Sequence, residues 1–328
     1  MPLFLEMVRQ VSRREPALAR RALAGLEAYE HAPRPPARAE RPAIARVGGA
    51  ALRDHGGDGA PIVLVPSLIN PPSILDLDDE TSLTAALANS GRQVFLLDWG
   101  AAAERSGLDV GGHVEAVLLP LLDALGEPAT VVGYCLGGTM SLAAANLVPV
   151  RGVVTIAAPW NFARYPDESR AALVRLWEQS EAPSQSLGAL PMEVLQAGFW
   201  ALDPDRTVRK FAEFGELDPA SDRARRFVTL EDWANEGEAL PLPAARELFE
   251  RLYRDDAPGA GGWQVGGKEI AEHPPVPTLH LVAGGDRIVP PASAPDGNQR
   301  LIPSGHVGMI VGRARIQLHE SLGRFLAD

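Results

Sequence analysis

The chain has 328 residues, 46% of them hydrophobic, with a net charge of −11 and a pI near 5.2. A chain of this length buries roughly 75% of its unfolded surface, enough for one large domain or one domain with an insertion, and its scattered basic residues argue against nucleic acid as a partner. Its one cysteine, Cys135, excludes an intramolecular disulfide and makes the cytoplasm the expected compartment.

No apolar run approaches the ~20 residues that cross a bilayer, so no transmembrane segment is expected, and the N-terminus lacks a signal-peptide pattern. Residues 8 to 30 have helical spacing, and HAPRPPARAERPA then breaks it with four prolines. We therefore expect an N-terminal helix and proline-rich linker over 1–50. Short apolar runs follow at 61–69, 93–100, 129–135, 152–158 and 277–284, rich in Val, Ile and Leu without polar alternation, as in strands buried on both faces. Helical stretches such as TSLTAALANSG and HVEAVLLPLLDALGE separate them, which predicts a parallel α/β sheet. The alternation stops after 158. Residues 160–265 hold five of the six tryptophans and read as a helical cap inserted into a core of 51–159 and 266–328, which closes with a terminal helix over 312–326.

The stretch VVGYCLGGTM places Cys135 between a predicted strand and the predicted helix LGGTMSLAAANL, with glycines two residues before and after it. That is the spacing of a nucleophile elbow with a thiol in place of the usual hydroxyl. The positive end of the following helix would favour the thiolate; the alternative is a buried structural cysteine. A base and an orienting acid are expected downstream in the order nucleophile, acid, histidine. AGGDRIVPP supplies Asp286 just past a strand, and SGHVG supplies His306 in a glycine-flanked loop. The other six histidines fall in linkers, helices, loops or a strand interior. Asp98 precedes the nucleophile and reads as a structural strand-end carboxylate. The backbone amides of Leu136 and, in the loop PSLINPP, of Ile69 are the expected oxyanion donors. The lone cysteine and dispersed histidines form no metal-ligand cluster, and no glycine-rich nucleotide motif is present.

These residues resemble a family. VLVPSLINPPSILDL, VFLLDWG, VVGYCLGGT, GVVTIAAPWNF, GGWQVGGKEI, HLVAGGDRIVPP and PSGHVG occur in the order found in the polyhydroxyalkanoate synthases, most closely the short class III catalytic subunit. The resemblance implies an α/β-hydrolase fold and a thiol acyltransferase. Such an enzyme polymerises 3-hydroxyacyl-CoA, usually 3-hydroxybutyryl-CoA, into a storage polyester and releases CoA. On that resemblance Cys135 carries the acyl chain as a thioester, His306 is the general base, Asp286 orients it or activates the substrate hydroxyl, and Asp76 of the ILDL stretch is a supporting residue. It implies a CoA thioester as substrate with no permanently bound cofactor, a companion synthase subunit, a homo-oligomer and a place at the granule surface. Two departures stand out: Arg287 follows the aspartate where many members have histidine, and Pro71, Pro72 and Ser73 replace a tyrosine pair. The alternatives are a polyester depolymerase or thioesterase with the same three residues, and a granule-associated binding protein without catalysis.

Overall fold

Pro16 splits the expected 8–30 helix into α1 (Pro2–Ser12) and α2 (Pro16–His31). Proline lacks an amide proton and clashes with the preceding turn, so it suits the first position of a helix and not the middle. The computed structural model describes residues 2–36 and 38–327; Met1 and Asp328, and Ala37 within the proline-rich linker, lie outside the described residues.

Eight strands form the main sheet: β1 (Ala43–Val47), β2 (Ala50–Asp54), β3 (Pro61–Val65), β4 (Gln93–Asp98), β5 (Thr130–Tyr134), β6 (Gly152–Ile156), β7 (Thr278–Ala283) and β8 (Gln299–Ile302). Their order is β1-β2-β4-β3-β5-β6-β7-β8. The first two strands pair antiparallel and β2 meets β4 antiparallel, while every pair from β4 to β8 is parallel. All five predicted strands are present, each ending one to four residues before its apolar run does. The overrun goes into buried loops at the carboxyl edge, where Ser67 and Leu68 follow β3 and Ala157 and Ala158 follow β6.

The expected linker region contains the start of the sheet, because β1 and β2 form a hairpin closed at Gly48, whose φ of 55° suits glycine. β1 alternates half-buried and exposed residues and β8 is mostly exposed. Edge strands of that kind lack the continuous apolar run that marks β3, β5 and β6, in which every residue is buried.

β3 lies between β4 and β5, so the chain leaves it for opposite sides of the sheet before and after this point. The carboxyl ends of neighbouring strands then diverge and open a crevice, the place where ligands meet open α/β sheets. The loop after β3 and the turn after β5 flank that crevice.

Contacts gather the chain into two units, Met1–Ala39 with Glu193–Glu236, and Glu40–Met192 with Gly237–Asp328. In the first, α1 and α2 bury Phe4, Met7, Leu18, Ala22 and Leu26 with Val208, Phe211, Phe214 and Val228 of two later helices, Pro204–Phe214 and Asp222–Asn235. Neither short amphipathic helix pair can bury its apolar face alone. Gly25 is where they come closest: a Cβ there would sit 1.8 Å from the Phe211 carbonyl oxygen. Tyr29 Oη donates to Asp232 at 2.5 Å, and Arg34 bonds the same carboxylate.

The second unit holds the sheet together with residues 160–192 and 237–265. The strand pairs Leu190 with Leu240 bring together the ends of the 193–236 excursion. Of the insertion's tryptophans, Trp160, Trp177 and Trp263 are packing residues, buried to 2% exposure or less. Trp177 and Trp263 donate their indole protons to Glu250 and Glu247. None of the described helices is long and apolar enough to cross a membrane.

Candidate active site

β5 ends in a turn that glycine alone permits at three places. A Cβ on Gly133 would lie 2.3 Å from the Gly137 carbonyl oxygen, one on Gly137 would lie 2.1 Å from the Val65 carbonyl oxygen, and one on Gly138 would lie 2.4 Å from the Ala158 side chain. The first packs strand against helix, the second seats the helix on the end of β3, and the third seats it on the end of β6. Cys135 sits between them with φ 56° and ψ −130°. A non-glycine residue in that region stores strain of order 1–3 kcal/mol and persists because its surroundings over-determine it. Cys135 N donates to the Ile156 carbonyl at 2.9 Å, and Gly138 N to the Cys135 carbonyl at 2.9 Å.

The helix that follows, Leu136–Leu147, is buried through Ala145. Leu136 supplies its first amide, which has no preceding helical carbonyl to bond, so this proton and the positive helix end both point toward the cysteine's side of the turn. Ile69 lies in the half-buried loop after β3. That loop is held near its base by Trp99, whose indole proton goes to the Pro66 carbonyl at 3.2 Å.

Asp286 and His306 come from two loops that run side by side past β7 and β8. Gly284 N donates to Ile302 O at 2.8 Å and Gly285 N to Ser304 O at 2.9 Å. The Asp286 carboxylate accepts the amides of Ile288 and Val289 on Oδ1, at 2.8 and 3.0 Å, and His306 Nδ1 lies 2.6 Å from its Oδ2. Both side chains are buried, and Cys135 acts electrostatically on the same imidazole. Cys135 itself is partly exposed. His306 and Asp286 thus form a hydrogen-bonded pair past the carboxyl ends of β7 and β8, and Cys135 lies within electrostatic reach of the ring.

A family model for the alpha/beta hydrolase fold matches residues 60–318. The chain belongs to the α/β hydrolase fold family. Among curated relatives, this α/β hydrolase is 28% identical over 291 residues to the poly(3-hydroxyalkanoate) polymerase subunit PhaC of Allochromatium vinosum, covering 82% of this chain and 81% of that one. It is 26% identical to the subunit of the same name from Thiocystis violacea, with the same coverage. A hydrolase from Pseudomonas aeruginosa superposes with a TM-score of 0.54 at 17% identity, over 85% of this chain and 94% of that one, a likeness of fold alone.

Burial of His306 opposes a charged ring, but Cys135 and Asp286 outweigh it and hold the imidazolium up to about 10. Tyr134, which sequence reasoning passed over, packs its ring 5.0 Å from that imidazole at 32° and donates its hydroxyl to the His306 carbonyl at 3.3 Å. Its only sequence signal is its place directly before the nucleophile, inside a buried strand.

Asp76 lies buried in the hydrolase core. Its carboxylate accepts from Ser82 Oγ at 2.6 Å and lies 3.5 Å from His55 Nδ1. Ser82 in turn caps the helix Leu83–Asn89 by accepting from Ala85 N, so the structure places Asp76 behind a helix start. Pro71 and Pro72 open the short turn Pro72–Asp76 that carries it, as fixed proline φ angles favour. Asp98 accepts from Arg53 Nε at 2.9 Å and from Gly100 N at 3.0 Å, which occupies it as a strand-end carboxylate. Among the described residues, no group of three or more His, Cys, Asp or Glu is arranged to hold a metal ion.

Two other histidines are buried and held neutral. His113 faces the Asp109 carbonyl with Nδ1 at 2.6 Å and Arg105 with Nε2 at 3.2 Å, a pairing that needs a proton on the first nitrogen and none on the second. His280 Nδ1 pairs with Thr155 Oγ1 at 2.9 Å across β7 and β6. Burial is the main cause that pushes each ring down to about 4. The unfolded rings take protons near pH 6.5 and the folded ones do not until about 4, so the unfolded state binds more protons in that window. Stability should therefore fall as pH drops from 6.5 to 4, by on the order of 2–3 kcal/mol per ring. Urea midpoints measured across that range check this, and His113→Gln should flatten the slope. His306 acts in a separate window: its raised value favours folding below 6.5, an advantage lost as pH climbs through about 10.

Proposed function

We propose that this chain is a polyhydroxyalkanoate polymerase, an acyltransferase that moves 3-hydroxyacyl units from CoA thioesters onto a growing polyester through Cys135. What supports this reading is the His306–Asp286 pair within electrostatic reach of the Cys135 elbow, in a chain similar over 82% of its length to named polymerase subunits.

In this reading His306 takes the Cys135 proton and the thiolate attacks the thioester carbonyl. The amides of Leu136 and Ile69 stabilise the oxyanion. When the tetrahedral centre collapses, the CoA sulfur leaves with the proton from His306, and the acyl group stays on Cys135 as a thioester. The hydroxyl of the next unit then gives its proton to His306 and attacks that thioester, which regenerates the thiol. A sulfur nucleophile suits the sequence of steps because thioester exchanges for thioester at nearly matched energy. Asp286 holds the imidazole tautomer that keeps Nε2 free for these transfers. No resident cofactor takes part; CoA enters as the leaving group of the substrate.

Purified protein given 3-hydroxybutyryl-CoA should release free CoA and build insoluble polyester. Soluble 3-hydroxybutyrate in place of polymer would overturn the polymerase reading in favour of a hydrolase, and no CoA release at all would favour a binding protein. A companion synthase subunit, self-association and work at the granule surface in the cytoplasm belong to the same proposal, under which the isolated chain is slow and recovers when that subunit is added.

A further inference from the structure

The elbow helix and the loop that carries Asp286 are joined by a buried strap. Thr139 lies one turn past Cys135 on the helix Leu136–Leu147, and its side chain is fully buried. A serine or threonine inside a helix can turn its hydroxyl back to a carbonyl of the preceding turn, as Ser141 does on this same helix by donating to the Gly137 carbonyl at 2.7 Å. Thr139 does otherwise. Its hydroxyl leaves the helix and donates to the Pro159 carbonyl at 2.6 Å.

Pro159 belongs to the segment that follows β6. Ala157 opens that segment with φ 46°, a left-handed conformation that costs a residue with a Cβ of order 1–3 kcal/mol, and its amide donates to the Leu281 carbonyl of β7 at 2.8 Å. The bend carries the chain past the helix, where the Ala158 side chain meets Gly138. Trp160 N and Asn161 N then both donate to the Ser293 carbonyl, at 2.7 and 3.0 Å. Ser293 is itself fully buried and closes a tight turn, its amide and its hydroxyl both donating to the Pro290 carbonyl, at 2.8 and 2.7 Å. From Ser293 back to Asp286 the loop is stiff: Pro290 and Pro291 fix their own φ angles, and the amides of Ile288 and Val289 are bonded to the Asp286 carboxylate.

The acid loop is therefore held at both ends. Its first end is fixed to β7 and to the loop after β8, and its second end hangs on the strap, which reaches the elbow helix through the Thr139 hydroxyl. We propose that Thr139 is a positioning residue, whose bond to Pro159 sets the separation between the Cys135 turn and the Asp286 loop and so the alignment of His306 for proton transfer. This rests on the reading of Cys135 as the polymerase nucleophile. Proton transfer needs heavy atoms within roughly 2.6–3.2 Å, and a misplacement of about 1 Å set up away from the chemistry can cost ~10²-fold.

The test compares wild type, Thr139→Val and Thr139→Ser in CoA release from 3-hydroxybutyryl-CoA and in the pH titration of the His306 ring followed by NMR. Valine keeps the shape and removes the hydroxyl; serine keeps the hydroxyl. Thr139→Val should lower kcat by roughly tenfold to a hundredfold with KM unchanged. Burial opposes a proton on His306, and Cys135 and Asp286 hold it up to about 10 all the same; in Thr139→Val the ring should titrate lower. Thr139→Ser should restore both readouts. A threonine that only stabilised the fold would lower the thermal midpoint in Thr139→Val and leave kcat and the ring titration unchanged. An unchanged kcat, an unmoved titration, or a serine variant as slow as the valine one overturns the assignment. If Thr139→Val does not fold, Thr139→Ala removes the same hydroxyl with less bulk and is read by the same criteria. A wild-type chain that releases no CoA overturns the polymerase reading, and the ring titration by itself then decides whether Thr139 positions His306.

Discussion

Cys135→Ala should abolish the proposed CoA release from 3-hydroxybutyryl-CoA while the chain stays folded. The sulfur is the nucleophile proposed at the elbow, within electrostatic reach of the His306 ring that Asp286 holds. Alanine tolerates φ 56° no better and no worse than cysteine, because both carry a Cβ. The three glycines that shape the turn are untouched, so circular dichroism and the thermal midpoint should change by less than about 1 kcal/mol equivalent. CoA release should fall by at least about 10³-fold, to the level left by binding and the oxyanion amides. Release that persists at a comparable rate would remove Cys135 from the mechanism and return it to the role of a buried structural thiol. Cys135→Ser sharpens the point: it keeps the geometry but forms an ester, a deeper trap for an acyl chain that must move on.

Asp286→Asn should cost about 10³–10⁴-fold in CoA release with little loss of stability. The amide oxygen can still accept from Ile288 N and Val289 N, so the loop keeps its two backbone bonds. What it cannot do is accept from His306 Nδ1 with a charged oxygen at the other end. The amide NH₂ would instead favour a proton on Nε2, the nitrogen that must take the thiol proton. Because the Asp286 charge is one of the groups that hold the ring up to about 10, removing it lowers the ring's protonation midpoint. Ring NMR resonances followed against pH read that shift directly. Near wild-type turnover in Asp286→Asn would mean that the carboxylate only braces the loop.

The elbow was legible because its glycines are steric requirements. Any sequence that turns from β5 into the helix Leu136–Leu147 this tightly must have no Cβ at Gly133, Gly137 and Gly138, and the chain therefore displays the turn in its letters. The central strands were legible for a related reason, since burial on both faces leaves continuous runs of Val, Ile and Leu. The order of Asp286 and His306 after Cys135 could be read because short loops after β7 and β8 leave few places for them. Edge strands escaped: β1 and β8 are half solvated, and their composition resembles that of loops. The contacts of His55 with Asp76 and of His113 with Arg105 also escaped, because neither pair follows a periodic spacing.

By itself, then, the sequence determined the sheet's buried strands, the thiol at the elbow and the chain order of the groups that meet it, because these depend on local sterics and local burial. Only the tertiary structure decided that α1 and α2 share a core with Pro204–Phe214 and Asp222–Asn235, and that Tyr134 carries the back of the His306 loop. Each of these joins residues far apart in the chain, and packing between distant segments leaves no mark in the spacing of either one.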